Sequence, residues 1–273
     1  MLSEAEFALI AREVKARSGQ HLSLDMGGPI ETRLQPITRR ENFLSVAEMI
    51  AAARNRPDGK LWVAITDALA QCDTRFFRDR AHFKRLSTNL IPNALERRGH
   101  ERIRIWSAAC ATGQEPYSIA MILSDIRDTG LVVAAEIIAT DFSDRLLDKA
   151  RAGLYTQFEV QRGLPIRKLI AHFEKGGDLW RISDRLRASV KFENHNLLKH
   201  PGHLGPFDII VLSHVLSSFD AETRSAVIAR AADALAPHGA ILLGAGEALP
   251  HACDGLQISD GVVTRKLVAR AAA

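Results

Sequence analysis

The spacing of apolar positions changes once along this chain. Up to about residue 70 they recur at helical intervals. Phe7, Ile10, Ala11 and Val14 share one side of a helix, and Leu61, Ile65 and Leu69 share one side of another. Ile30, Leu34 and Ile37 line a third, which Pro36 is expected to kink or divide. Ser45 and Glu48 form a capping-box pattern ahead of Met49 and Ile50. From Arg102 onward short apolar runs alternate with helical ones. Residues 102–109, 136–141, 207–216 and 240–245 predict buried strands. Asp220 is expected to cap a helix that turns Val227, Ala231 and Leu235 inward and ends at Pro237-His238-Gly239. Such alternation predicts a parallel sheet covered on both faces. The expectation is an α/β domain over residues 71–273, preceded by a small all-α domain over residues 1–70. The polar segment 155–196 breaks the alternation and reads as an accessory subdomain.

The chemistry concentrates where the first strand meets its helix, in RIRIWSAACATGQEPYSIAM, Arg102 to Met121. Ser107 through Thr112 have no bulk, so a ligand can approach the backbone. Gly113 permits a turn that a side chain would forbid. Pro116 suits a first helical turn, and Glu115 sets a carboxylate at the helix mouth. One helix later, EIIATD ends a strand in Asp141, at the place where a ribose is gripped in nucleotide-type folds. Ser143 can cap the next helix, which Gly153 stops, so Asp141 is expected to be free for a ligand. The turn lacks a G-x-G-x-x-G run, and Glu115 would repel a pyrophosphate but attract an ammonium. A ribose joined to an amino-acid head, without phosphate, describes S-adenosylmethionine.

Composition narrows this reading without redirecting it. The chain has 273 residues, 47% of them hydrophobic, which is room for one large and one small domain. A net charge of +4 is too mild to imply nucleic acid. No signal-peptide pattern and no membrane-spanning run are visible, so a cytoplasmic location is expected. Cys72, Cys110 and Cys253 have no C-x-x-C spacing and read as reduced thiols. His200 and His203 lack a carboxylate or cysteine to complete a ligand set, so no metal is expected.

Several motifs together resemble the CheR-type chemoreceptor methyltransferases, from about Phe7 to Leu249. They are Thr74-Arg75-Phe76-Phe77-Arg78-Asp79; Trp106 to Ala120; Ala139 to Ser143 with Lys149 to Tyr155; Asn196-Leu197-Leu198 with Gly205 to Asp208; and Leu235 to Gly239 with Gly244 to Leu249. The resemblance implies a Rossmann-like methyltransferase domain that binds S-adenosylmethionine, esterifies glutamates of methyl-accepting chemoreceptors and releases S-adenosylhomocysteine. It implies cofactor contacts at Thr74, Arg78, Glu115, Asp141, Asn196 and Leu197, with Cys72, Gly113, Ser213 and His214 completing the surroundings. Arg78 is the candidate catalytic residue, because a guanidinium can hold both oxygens of a carboxylate; an ion pair with Asp73 or Asp79 is the plainer alternative. Arg33, Arg39 and Arg40 are the candidate receptor-docking residues, with a solvated basic face as the alternative. The protein would be recruited to receptor arrays without entering the membrane.

Departures from the family pattern cluster near the chemistry. Cys72 stands where Asn is common, Ser213-His214 replaces Arg-Asn, and Ser218 replaces a tyrosine. Two function classes follow: a protein-glutamate O-methyltransferase, or a divergent cofactor-binding module that scaffolds a signalling complex. Base methylation of nucleic acid is disfavoured, since no Asn-Pro-Pro-Tyr-like loop is present.

Overall fold

A computed structural model describes residues 2–23, 27–56, 59–250 and 253–266. The chain divides into two compact units. One comprises the residues up to Gln71 together with Ser218–Thr223, and the other the remainder.

The first unit contains α1 (Glu4–Ser18), α2 (Gly27–Arg40), α3 (Val46–Arg54) and α4 (Lys60–Leu69). Ser3 and Glu6 form a reciprocal capping box on α1, and left-handed Gly19 ends it. Phe7, Ile10, Val14, Ile30, Leu34, Ile37, Ile65 and Leu69 are buried as their periodicity predicts, whereas Ala11 and Leu61 are only partly covered. α2 runs unbroken through Pro36, so the expected division does not occur. Ser45 caps α3 by accepting the Glu48 N–H at 3.1 Å. The Glu48 carboxylate takes the Leu44 N–H at 2.7 Å rather than the Ser45 N–H, so the Ser45 bond is the one half of the expected box that forms. The short segment from Ser218 closes this unit. Its Ser218 carbonyl accepts the His21 N–H at 2.7 Å, and Lys15 pairs with Asp220. Asp220 also accepts the Thr223 N–H at 2.9 Å, as a helix cap should.

The second unit opens with α5 (Arg80–Arg85) and α6 (Ile91–Arg98) and is built on a seven-stranded sheet in the order β6-β2-β1-β7-β8-β10-β9. Its strands are β1 (Ile103–Ala108), β2 (Ala135–Asp141), β6 (Val190–Asn194), β7 (Phe207–Leu212), β8 (Leu235–Leu243), β9 (Leu256–Ser259) and β10 (Val262–Arg265). The first five pair in parallel, and β10 runs antiparallel to both β8 and β9. Every residue of β7 is buried, which fits a central strand covered on both faces. The first part of the polar segment supplies β3 (Leu154–Thr156), β4 (Phe173–Gly176) and β5 (Leu179–Ile182), which form a separate antiparallel sheet in the order β3-β5-β4. Its last strand, β6, joins the main sheet beside β2.

Several expected boundaries move; the strand expected over 240–245 runs from Leu235 to Leu243, and two shifts have a clear cause. The strand foreseen over 207–216 ends at Leu212, because His214 is left-handed at φ 59° and breaks the extended run. The helix foreseen to reach Leu235 ends at Asp233, and Leu235 opens β8 instead. Arg265 fixes that boundary by donating to the carbonyls of Ala232, Leu235 and Ala236 at 2.7–3.1 Å, which occupies acceptors a helix would need. Gly239 is required in the resulting bulge, since a Cβ there would lie 2.7 Å from the Phe207 carbonyl oxygen. Among the described residues, no helix is long and apolar enough to cross a membrane.

Candidate functional site

The site grows from the turn between β1 and α7 (Gln114–Asp128). Ala109, Ala111 and Gly113 all have positive φ, at 54°, 48° and 91°. A left-handed alanine costs about 1–2 kcal/mol, so the surroundings must impose it. They do so at each peptide. Cys110 N–H donates to the Thr140 carbonyl at 2.8 Å, and Ala111 N–H donates to Asp141 Oδ2 at 3.0 Å. The buried Tyr155 hydroxyl donates to the Thr112 carbonyl at 2.8 Å. Gly113 has no room for a side chain, because its Cβ would fall 2.9 Å from that of Ala150.

Asp141 is therefore not the idle ligand that the sequence suggested. Its other oxygen accepts the Ser143 N–H at 3.0 Å, so the carboxylate braces the turn and the start of α8 (Asp144–Ala152) together. Ser143 caps α8 through the Leu146 N–H at 3.1 Å. The Asp141 carbonyl accepts the His195 N–H at 3.0 Å, which sets Asn196 and buried Leu197 beside it at the end of β6. The Asn196 side-chain oxygen accepts the Leu198 N–H at 2.9 Å and tightens that loop. Cys72 is exposed, yet desolvation of its sulfur raises the thiol pKa, with Thr112 and Asp141 as neighbours.

Glu115 occupies the first turn of α7 and accepts the Ser107 hydroxyl at 2.7 Å. Burial pushes its pKa up to about 8; Glu247 adds to this, while Ser107 and Arg78 oppose it. Among the described residues, no lysine or arginine pairs directly with this carboxyl. A half-buried acid that lacks a paired cation fits the ammonium of an amino-acid head.

The Thr74–Asp79 run forms the neighbouring wall. Phe76 is fully buried, edge-on to Tyr155 and Phe173 at 5.0 and 5.5 Å. Phe77 is left-handed at φ 47°, held by its N–H to Ser118 Oγ at 3.1 Å. Thr74 is half-buried on the same turn. Arg78 is paired with Asp73 at 3.1 Å, one of the two ion pairs that made up the plainer alternative to a catalytic role. Half-buried Ser213 and His214 follow β7. Burial, and then the Arg78 charge, lowers the His214 pKa, and its Nε2 is buried without a hydrogen-bond partner among the described residues.

One contributor was not foreseen. Glu247 accepts backbone N–H groups from Gly244, His214 and Leu216 at 2.7–2.9 Å. Its only trace in the sequence is an acid three residues after a glycine at the end of a buried strand. The docking triad, by contrast, does not share a role. Arg39 and Arg40 are exposed at the end of α2, Arg40 beside Glu41 at 2.9 Å. Half-buried Arg33 donates to the Ala70 carbonyl at 2.6 Å, a tether within the helical unit.

A family model described as CheR methyltransferase, SAM binding domain, matches residues 72–263. Chemotaxis protein methyltransferase Cher2 of Pseudomonas putida is 33% identical over 241 residues, covering 86% of this chain and 88% of its own. Chemotaxis protein methyltransferase 1 of Pseudomonas aeruginosa is 32% identical over 270 residues, covering 96% and 98%. The Escherichia coli chemotaxis protein methyltransferase is 31% identical over 255 residues, covering 92% and 86%. With a half-buried carboxyl at the helix mouth and a braced small-residue turn inside the matched region, the chain belongs to the CheR methyltransferase family, and its cofactor is S-adenosylmethionine.

Proposed function

We propose that this protein methylates glutamate side chains of chemoreceptors in chemotactic adaptation, acting from the cytoplasm. The observation that carries the reading is that the run bearing Arg78 is tied to the helix bearing Glu115, through the Phe77 N–H to Ser118 Oγ at 3.1 Å. A cation that can orient an acceptor carboxylate thus belongs to the same part of the fold as the carboxyl that suits the cofactor's ammonium. The chemotaxis names of the relatives supply the class of acceptor.

Each residue then has a role. Glu115 takes the ammonium. Asp141, while bracing the turn, takes ribose hydroxyls, and Asn196 and Leu197 border the same edge. Cys72, Thr74, Gly113, Ser213 and His214 enclose the cofactor. Arg78 orients the acceptor. A glutamate with pKa about 4.3 is already ionised at neutral pH, so no general base is required. When bound, the cofactor supplies an electrophilic methyl on a sulfonium. Transfer of that methyl to the carboxylate oxygen would break the carbon–sulfur bond and leave a neutral ester and a thioether, with Arg78 holding the acceptor oxygens. Alignment is the main contribution of the protein to such a step.

The test is incubation with labelled cofactor and receptor-rich membranes from the source cell. Base-labile methyl esters should form on the receptors and be absent with Arg78→Ala. A second reading, a slow or inactive binding module, is favoured by the engagement of Arg78 with Asp73. S-adenosylhomocysteine binding without ester formation on any receptor would select it.

A further inference from the structure

Arg78, the cation assigned to an incoming carboxylate, already holds one. Its Nη2 lies 3.1 Å from Asp73 Oδ2, and its Nη1 donates to the Asp73 carbonyl. The other Asp73 oxygen is 3.2 Å from Nη2 of Arg162. One carboxylate is therefore shared between two guanidiniums, only one of which belongs to the Thr74–Asp79 run.

Arg162 has an independent seat. Its guanidinium lies over the Phe158 ring, 5.5 Å from the centroid. The next residue, Gly163, is left-handed at φ 91° and pressed so closely against the Phe76 carbonyl that a Cβ would collide with it. The turn bearing Arg162 is thus fixed to the same strip of backbone that carries Asp73 and Arg78. If Arg78 releases Asp73, Arg162 still holds it, and no charge is stranded. The exchange is inexpensive, because the Asp73 side chain is 65% exposed and pairs of that kind are weak.

We infer that Asp73 is an internal stand-in for the incoming carboxylate, displaced from Arg78 toward Arg162 when that carboxylate arrives. Two groups have this chemistry: the amino-acid carboxylate of the cofactor and the side chain of the acceptor glutamate. The acceptor arm rests on the function proposed above, whereas the cofactor arm does not.

Asp73→Asn keeps the shape and removes the competing charge. If the cofactor carboxylate is the newcomer, calorimetry should show S-adenosylhomocysteine binding about two- to fivefold tighter in the variant. If the acceptor is the newcomer, cofactor affinity should stay constant and the KM for receptor should fall by a similar factor, with kcat not reduced. Arg162→Ala should weaken the same parameter in the parent and leave it unchanged on the Asp73→Asn background. A third arm needs no turnover: N-acetylglutamate titrated onto the S-adenosylhomocysteine complex, read at the Arg78 Nε–H resonance, which is assigned by its loss in Arg78→Lys. Half-saturation at lower concentration in Asp73→Asn supports the acceptor source. Absence of esters from parent and variant alike would remove the proposed function, while calorimetry and this titration still decide the role of Asp73. The inference is overturned if Asp73→Asn weakens binding and transfer as Arg78→Ala does, which would make Asp73 a brace, or if all three arms are unchanged.

Discussion

Glu247 accepts the backbone N–H of His214 at 2.9 Å on the same oxygen that receives the Gly244 N–H at 2.7 Å. Its second oxygen takes the Leu216 N–H at 2.9 Å. One side chain therefore joins the loop after β7 to the loop after β8. It also holds His214 in a left-handed conformation that is uncommon outside glycine. Gly244 makes this possible, since a Cβ there would meet both the carboxylate and the His214 nitrogen at 2.7 Å.

Glu247→Gln should consequently cost about 1–3 kcal/mol in urea denaturation, because an amide nitrogen cannot accept and leaves backbone donors unmet. Hydrogen exchange should quicken at His214, Leu216 and Gly244 together. Protection that is unchanged at all three would show that the carboxylate is not the tie between these loops.

Glu115 gives the protein a pH signature. Its pKa is raised to about 8 from 4.5, chiefly by burial. Between those values the folded chain binds more protons at this group than the unfolded chain, so its contribution to stability falls as pH rises from about 4.5 to 8. An ammonium placed beside it reverses the preference. Cofactor binding at pH 7 should therefore release close to one proton, measured by calorimetry in buffers of different ionisation enthalpy. Glu115→Gln should abolish the release and weaken binding by about 1.5–3 kcal/mol. Binding of the parent without proton release would place the ammonium elsewhere.

For the helical unit, the arginines should separate by experiment as they do in structure. Reversing Arg39 and Arg40 to Glu should reduce receptor methylation and its salt sensitivity, with cofactor affinity unchanged, since screening acts on exposed charges over about 8 Å at physiological ionic strength. Arg33→Ala should instead lower the thermal stability of the unit by about 1 kcal/mol through the lost bond to Ala70. Salt-independent receptor binding that ignores the Arg39 and Arg40 reversals would reduce them to solvated surface.

Gly113→Ala should destabilise the second unit by more than about 1 kcal/mol, because a φ of 91° and the Ala150 side chain both oppose a Cβ. S-adenosylhomocysteine affinity should fall with it, as the start of α7 carries Glu115. A variant of parental stability and affinity would mean that the turn relaxes freely.

What could be read from the sequence was whatever had a local period or a local turn. The core of α1, the central strands and the caps at Ser143 and Gly153 follow from spacing and residue type. Glu115 and Asp141 stood out as acids at element ends. The bracing role of Asp141 was not legible, because it depends on Ala111 and the left-handed path of its own turn. Glu247 was hidden for the same reason, as it binds residues 33 and 31 positions upstream in the chain. The end of the helix at Asp233 was misplaced because Arg265, on a strand not yet formed, supplies the donors that stop it. Arg33 looked like its basic neighbours and differs from them in meeting the Ala70 carbonyl that follows α4.

The strand order sets a sequence of assembly. β6 pairs with β2, yet the whole β3-β5-β4 sheet lies between them in the chain. Closing that excursion is entropically late, and parallel pairing across it contributes little until both strands are present. A chain still emerging from the ribosome can form the turn bearing Glu115 well before Asn196 and Leu197 exist. The two ends of the cofactor cradle thus mature at different times, and ligand capture must wait for the later one.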